Sequence, residues 1–131
     1  MKDKRIRNRT EYFHQYYELH KEGKKKKGAK VMPPPIRRKY QNIYNENLKI
    51  EVLTHYGRGQ LACVQCGFDN IDALSIDHIY GNGRQHRRTI GARRGGKRIY
   101  AWLRKRNFPD GFQTLCMNCQ FIKRKVNNES N

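Results

Sequence analysis

Acidic residues are scarce in this chain: 11 Asp and Glu stand against 29 Lys and Arg in 131 residues, a formal charge of +18. That deficit argues against a basic partner and points to a polyanion, with nucleic acid first. Apolar residues are also in short supply, at 36%, and mean hydropathy is -1.06. The core must be small, and a small core usually needs a metal or disulfides to hold it. No long hydrophobic run is present. The first thirty residues contain nothing like a signal-peptide core and no stretch approaches a membrane span, so the expectation is a soluble, cytoplasmic chain that binds no membrane. Nor does any cysteine fall outside two Cys-x-x-Cys pairs, which disfavours a secreted disulfide framework and favours metal thiolates.

Those pairs are Cys63-Val64-Gln65-Cys66 and Cys116-Met117-Asn118-Cys119. All four cysteines are the predicted ligands of one zinc ion, since four thiolates complete a tetrahedral site. A redox pair is the alternative, but it belongs beside a βαβ pattern that is missing here. The pairs are separated by residues 67 to 115, far more than the 15 to 20 or so of a compact zinc ribbon. Something must fill that loop.

In chain order, residues 1–22 begin with Lys2, Lys4, Arg5, Arg7 and Arg9 and continue into an aromatic cluster. Tyr12, Tyr16 and Leu19 recur at i, i+4 and i+7, which predicts a short helix with one aromatic stripe. Residues 23–35 hold four lysines between glycines and then three prolines, a linker composition. Over 36–57 an apolar series at Ile36, Tyr40, Ile43, Tyr44, Leu48, Val52 and Leu53 fits a helix, with a predicted interruption at Asn45-Glu46-Asn47 and an end at Gly57 and Gly59. These segments make a basic helical N-terminal arm. A homodimer through it is an open alternative, although no sustained heptad supports a coiled coil.

Residues 58–126 carry the chemistry, and 127–131 are expected to fray. The first strand is Leu74 to Ile79, with Asp77 and His78 near its end. The turn Tyr80-Gly81-Asn82-Gly83 leads into a basic loop with Arg84, His86, Arg87, Arg88, Arg93, Arg94, Lys97 and Arg98. A short helix follows at 99–103, then a second strand at 112–115 that enters Cys116. The closing helix, from Met117 to about Val126, bears Lys123, Arg124 and Lys125. Arg84, Arg87, Arg88, Arg93, Arg94, Lys97, Arg98, Lys123 and Arg124 are the predicted nucleic-acid contacts, gripping phosphates or reading guanines.

A strand-borne Asp-His, two flanking cysteine pairs and a closing helix resemble the zinc-stapled HNH endonucleases, also called ββα-metal or His-Me finger nucleases, over roughly residues 48 to 125. Ile76-Asp77-His78-Ile79, Gly81-Asn82-Gly83 with His86-Arg87, and Phe108-Pro109-Asp110-Gly111-Phe112 running into Leu115-Cys116 resemble small HNH proteins common in phages. For such a protein the location would be the host cytoplasm. The resemblance implies an α+β fold, a small ββα-metal domain with a four-cysteine structural zinc site. It implies a magnesium-dependent endonuclease acting on double-stranded DNA, with manganese as an alternative ion and no small-molecule cofactor.

By the same resemblance Asp77 binds the catalytic ion and His78 is the general base that deprotonates water. Asn82 would be the middle asparagine of the family's name. The second protein ligand to the magnesium is implied at the position after the last cysteine, where relatives usually have asparagine and this chain has Gln120. Glutamine carries the same carbonyl on a longer stem. His86 is assigned either to phosphate and turn contacts or to the metal as third ligand or supporting group. The competing reading is a catalytically silent zinc-ribbon DNA-binding or accessory protein, natural or engineered, in which Gln120 marks the lost activity.

Overall fold

The computed structural model describes residues 34–92 and 96–129. The aromatic segment at 1–22, the linker through residue 33, and Arg93 and Arg94 lie outside them. The described chain is a small α+β fold of four helices, one 3-10 turn and a two-stranded antiparallel sheet. Helix α1 spans Pro34–Tyr56, the 3-10 turn Ile71–Ala73 and strand β1 Leu74–His78. Helix α2 spans Gly83–Thr89, α3 Lys97–Lys105, β2 Phe112–Cys116 and α4 Met117–Val126. Among the described residues no helix is long and apolar enough to cross a membrane.

Helix α1 is continuous, so the predicted interruption at Asn45-Glu46-Asn47 does not occur. The amide of Gln41 donates to Asn45 Oδ1 at 3.1 Å, one turn away, and this occupies the side chain that would otherwise compete for the backbone. The helix also starts earlier than expected, because prolines in a first turn forfeit amides that have no helical partner anyway. Leu48, Val52, Leu53 and Tyr56 recur along its inner face and are buried. They meet Leu74 of β1, Leu115 and Cys116 of β2, and Ile99, Tyr100 and Leu103 of α3 in one cluster.

The strands pair with Leu74 opposite Cys116, Asp77 opposite Gln113, and His78 opposite Phe112. Side chains alternate between faces. Leu74, Ile76 and His78 therefore share one face with Phe112, Thr114 and Cys116, while Ser75 and Asp77 share the other with Gln113 and Leu115. Helix α1 covers the first face, where the fully buried Thr114 hydroxyl donates to Leu53 O at 2.8 Å. Helix α4 covers the second, reaching Ser75 through Gln120 and Asp77 through Lys123. Thr114→Val keeps the volume but strips Leu53 O of that donor. It should cost about 1 kcal/mol in a urea unfolding curve, and an unchanged midpoint would show the bond to be energetically idle.

The largest departure from expectation lies between the strands. The basic loop after Gly83 is helical over Gly83–Thr89, and α3 runs four residues longer than the predicted 99–103 helix. The sequence GRQHRRT shows no apolar periodicity. What holds α2 in place is one inward side chain, His86, half-buried against Trp102 and Phe112.

Candidate functional site

The four cysteine sulfurs lie within 4.8 Å of one another, placed to hold a metal ion and compatible with structural zinc. Cys66 Sγ and Cys116 Sγ are 3.7 Å apart. A disulfide would bring them to about 2.05 Å, whereas sulfurs about 2.3 Å from a tetrahedral zinc are separated by roughly 3.8 Å. Local backbone prepares the site: Gly67 N–H returns to Cys63 O at 2.9 Å, and Cys116 Sγ caps α4 by accepting from Cys119 N–H at 3.5 Å. Burial works against ionising Cys63, but amides of Cys116, Cys66 and Gln65 outweigh it and draw its pKa down to about 6. Burial and the neighbouring thiols push Cys119 upward. The cluster thus favours some thiolate character yet needs a cation before all four sulfurs can ionise together.

Helix α4, anchored by Cys116 and Cys119, brings Gln120 and Lys123 against β1. The Gln120 amide nitrogen donates to Ser75 Oγ, and its longer contacts at 3.5 Å go to the carbonyls of Ser75 and Leu115. The nitrogen is therefore committed to the sheet, and the carbonyl oxygen is the end left to serve the cavity that Gln120 lines.

That cavity has a volume of about 590 Å³ and is bordered by Ile76, Asp77, His78, Gln120, Glu129 and four arginines, Arg84, Arg87, Arg88 and Arg124. Asp77 and His78 point to opposite faces of β1, yet both border the cavity. β1 pairs with β2 on one side only and ends at His78, so neighbours from both of its faces can line one cavity. The sequence rule that neighbours on a strand diverge is kept, and the site uses both faces.

His78 is buried, and its Nε2 lies 2.8 Å from His86 Nδ1. Phe112 packs edge-on at 4.8 Å between ring centres. Nδ1 is left toward Gly83, where a Cβ would come within 2.9 Å of it. Gly83 is therefore needed for the close approach of α2 to the imidazole. His86 Nε2 is buried without a hydrogen-bond partner, with the Trp102 ring centre 4.5 Å from that of His86. Buried orphan nitrogens are uncommon enough to mark a constrained site.

Burial, then the nearby charges of His86 and Arg87, lower the His78 pKa to about 4, against the opposing pull of Asp77. Burial lowers His86 as well. The unfolded chain takes up a proton on His78 near pH ~6.5 and the folded chain only near 4. Folding stability is then full above about pH 6.5, declines as pH falls, and stops declining through this group near 4. Between pH 7.5 and 5 the decline should be on the order of 2 kcal/mol. Unfolding midpoints of the parent chain and His78→Gln, followed from pH 7.5 to 5, check it, and parallel slopes would refute it.

Asp77 Oδ2 accepts from Gln113 Nε2 at 2.8 Å and from Lys123 Nζ at 2.8 Å. Lys123 also reaches His78 O, and Glu129 Oε1 at 3.4 Å. It is thus tied into the site rather than presented to a phosphate, unlike the sequence expectation for it. Residues 127 to 129, expected to fray, turn back through Glu129 N–H to Arg124 O at 3.0 Å. Lys97 borders a separate depression beside Asn42, Lys49 and Tyr100, and Arg98 donates to Gly91 O at 2.8 Å. Of the predicted anion contacts among the described residues, Arg84, Arg87, Arg88 and Arg124 are the ones gathered at the cavity.

The reading from sequence missed Glu129 and the pairing of His86 with His78. Glu129 is the only acid after Asp110 in a strongly basic chain, a signal that was available. No protein-family model, curated protein or solved structure matches this chain.

Proposed function

We propose that the chain is a metal-dependent DNA endonuclease of the zinc-stapled HNH type, with His78 as general base. The observation that carries this reading is the position of His78: a buried imidazole, engaged through Nε2, with its other nitrogen beside an arginine-lined cavity that Asp77 also borders. Its lowered pKa keeps it neutral near pH 7, the form able to accept a proton. If Nδ1 is to accept, Nε2 must carry the ring hydrogen and donate it to His86 Nδ1, so His86 fixes the working tautomer of His78. His86 acts through His78 and is a positioning residue.

The arginines supply the phosphate grip. Guanidinium groups suit phosphodiester oxygens through paired, charge-assisted hydrogen bonds. Asp77, with a hard carboxylate oxygen, and Gln120, with its carbonyl oxygen, are the residues that would hold magnesium or manganese. Such an ion would supply positive charge for the phosphoryl oxygens and the departing 3′ oxygen, and attack by a water deprotonated at His78 would leave 5′-phosphate and 3′-hydroxyl ends. The donor chemistry fits, and a cation is already accommodated there, because the Lys123 ammonium rests on Asp77.

That same ammonium favours a second reading, a DNA-binding protein without chemistry in which Lys123 permanently neutralises Asp77. Supercoiled plasmid separates the two. Incubation with magnesium is expected to give nicked or linear product that EDTA prevents. Retarded but uncut plasmid at every magnesium concentration would favour the silent protein.

A further inference from the structure

Lys123 sits on the inner face of α4, and its ammonium is surrounded by three oxygens, two from the end of β1 and one from the C-terminal turn. Asp77 Oδ2 comes from the side chain of β1 at 2.8 Å, His78 O from the end of that strand, and Glu129 Oε1 from the C-terminal turn at 3.4 Å. Two carboxylates and a carbonyl are what a hard cation selects. All three charged side chains are largely shielded from solvent, with 16% exposure for Lys123, 12% for Asp77 and 17% for Glu129. Shielding strengthens both the attraction that holds the ammonium and the repulsion between it and any second cation.

A divalent ion therefore cannot share this corner of Asp77 with Lys123. Glu129 is the side chain placed to receive a displaced ammonium, since its contact is already made but is the longer of the two ion pairs. Its seat is built by Gly81, where a Cβ would fall 2.8 Å from Glu129 Cδ.

We propose that Lys123 and a divalent cation compete for Asp77 Oδ2 and the His78 carbonyl, and that Glu129 takes up the ammonium when the ion displaces it. The metal site is then closed by an internal cation until the ion is present. This rests on the reading above that Asp77 binds a divalent ion, and goes beyond it by giving the site a built-in competitor. Metal affinity is reduced by the fraction of molecules in which Lys123 holds Asp77. Glu129 raises that affinity indirectly, by giving Lys123 somewhere else to go.

The test is Mn²⁺ binding to the zinc-loaded full chain without DNA, read from the free Mn²⁺ electron-spin signal. Lys123→Met should bind Mn²⁺ about tenfold more tightly than the parent chain. Arg88→Met, which removes a like charge from the same cavity, should change affinity by less than about threefold. Glu129→Gln should weaken binding, and that loss should vanish when Lys123→Met is also present, because Glu129 acts through the ammonium. Lys123→Gln gives the same comparison if the methionine variant does not fold. Equal effects of the Lys123 and Arg88 substitutions, or a Glu129→Gln loss that persists without Lys123, would overturn the competition. Binding that ignores Lys123 while plasmid is still cut would remove the competition and leave the nuclease reading standing. Absence of Mn²⁺ binding in every variant would overturn the divalent site itself.

Discussion

A chelator strong enough to empty the four-cysteine site is expected to unfold the described domain, with loss of helical circular dichroism and of the cooperative thermal transition. The scale of the effect follows from comparing two quantities. A domain of this size is stable by about 5–15 kcal/mol, and metal binding to a structural four-ligand zinc site contributes about 10–16 kcal/mol at neutral pH. The second matches or exceeds the first, so little stability is left once the ion is gone. Position matters as much as magnitude. Cys63 and Cys66 follow α1, Cys116 ends β2, and Cys119 lies in the first turn of α4, so the ion ties three elements together. Backbone bonds across that junction are few: Val64 N–H to Thr114 O at 3.0 Å is one. Cys116→Ser should show the same loss, with one zinc per chain in the parent and little in the variant by elemental analysis. A metal-free chain with an unchanged melting transition would refute the structural role.

The cysteine pairs and the first strand were legible because each has a strong local signal, ligand spacing in one case and apolar alternation in the other. Helix α2 was not, since its seven residues are held by His86 docking into an aromatic box formed by distant segments. The continuity of α1 through Asn45 reflects the burial of Leu48, Val52, Leu53 and Tyr56 on one face, helped by the Gln41–Asn45 bond, which propensity at Asn45 alone does not see.

The site divides in the same way. Asp77, His78 and the cysteines could be named from the sequence, and the structure brings Asp77, His78 and Gln120 to one cavity. Lys123 was grouped with Arg124 and Lys125 as one basic run, yet helical phase separates them. Gln120 and Lys123 lie three residues apart on the face toward β1, whereas Arg124 and Lys125 are exposed. Counting charge along the chain gives only the expectation of a polyanion. Phase sets Lys123 against Asp77 and leaves Arg124 exposed at the border of the cavity.

His78→Ala is expected to lower plasmid cleavage by about 10²–10⁴-fold, the usual contribution of a positioned general base, while DNA affinity and its salt dependence stay as in the parent chain. The two halves of that expectation come from different groups. In the proposed reading, phosphate binding would depend on the arginines of α2 and α4, whose neutralisation of the backbone would make affinity fall steeply with salt. His78 is neutral near pH 7 and adds nothing to that slope. Substitutions at His86 test the intermediate link. His86→Asn can place an oxygen where Nδ1 stands and still accept from His78, so most activity should remain. His86→Phe preserves the packing against Trp102 and Phe112 but removes the acceptor, and should lower kcat by about tenfold or more with KM little changed, since the loss falls on the reacting state. A structural role for His86 would instead lower the unfolding midpoint of both variants in step with activity. If His78→Ala cuts plasmid as fast as the parent chain, the base lies elsewhere and the arrangement of β1 around the cavity has been misread.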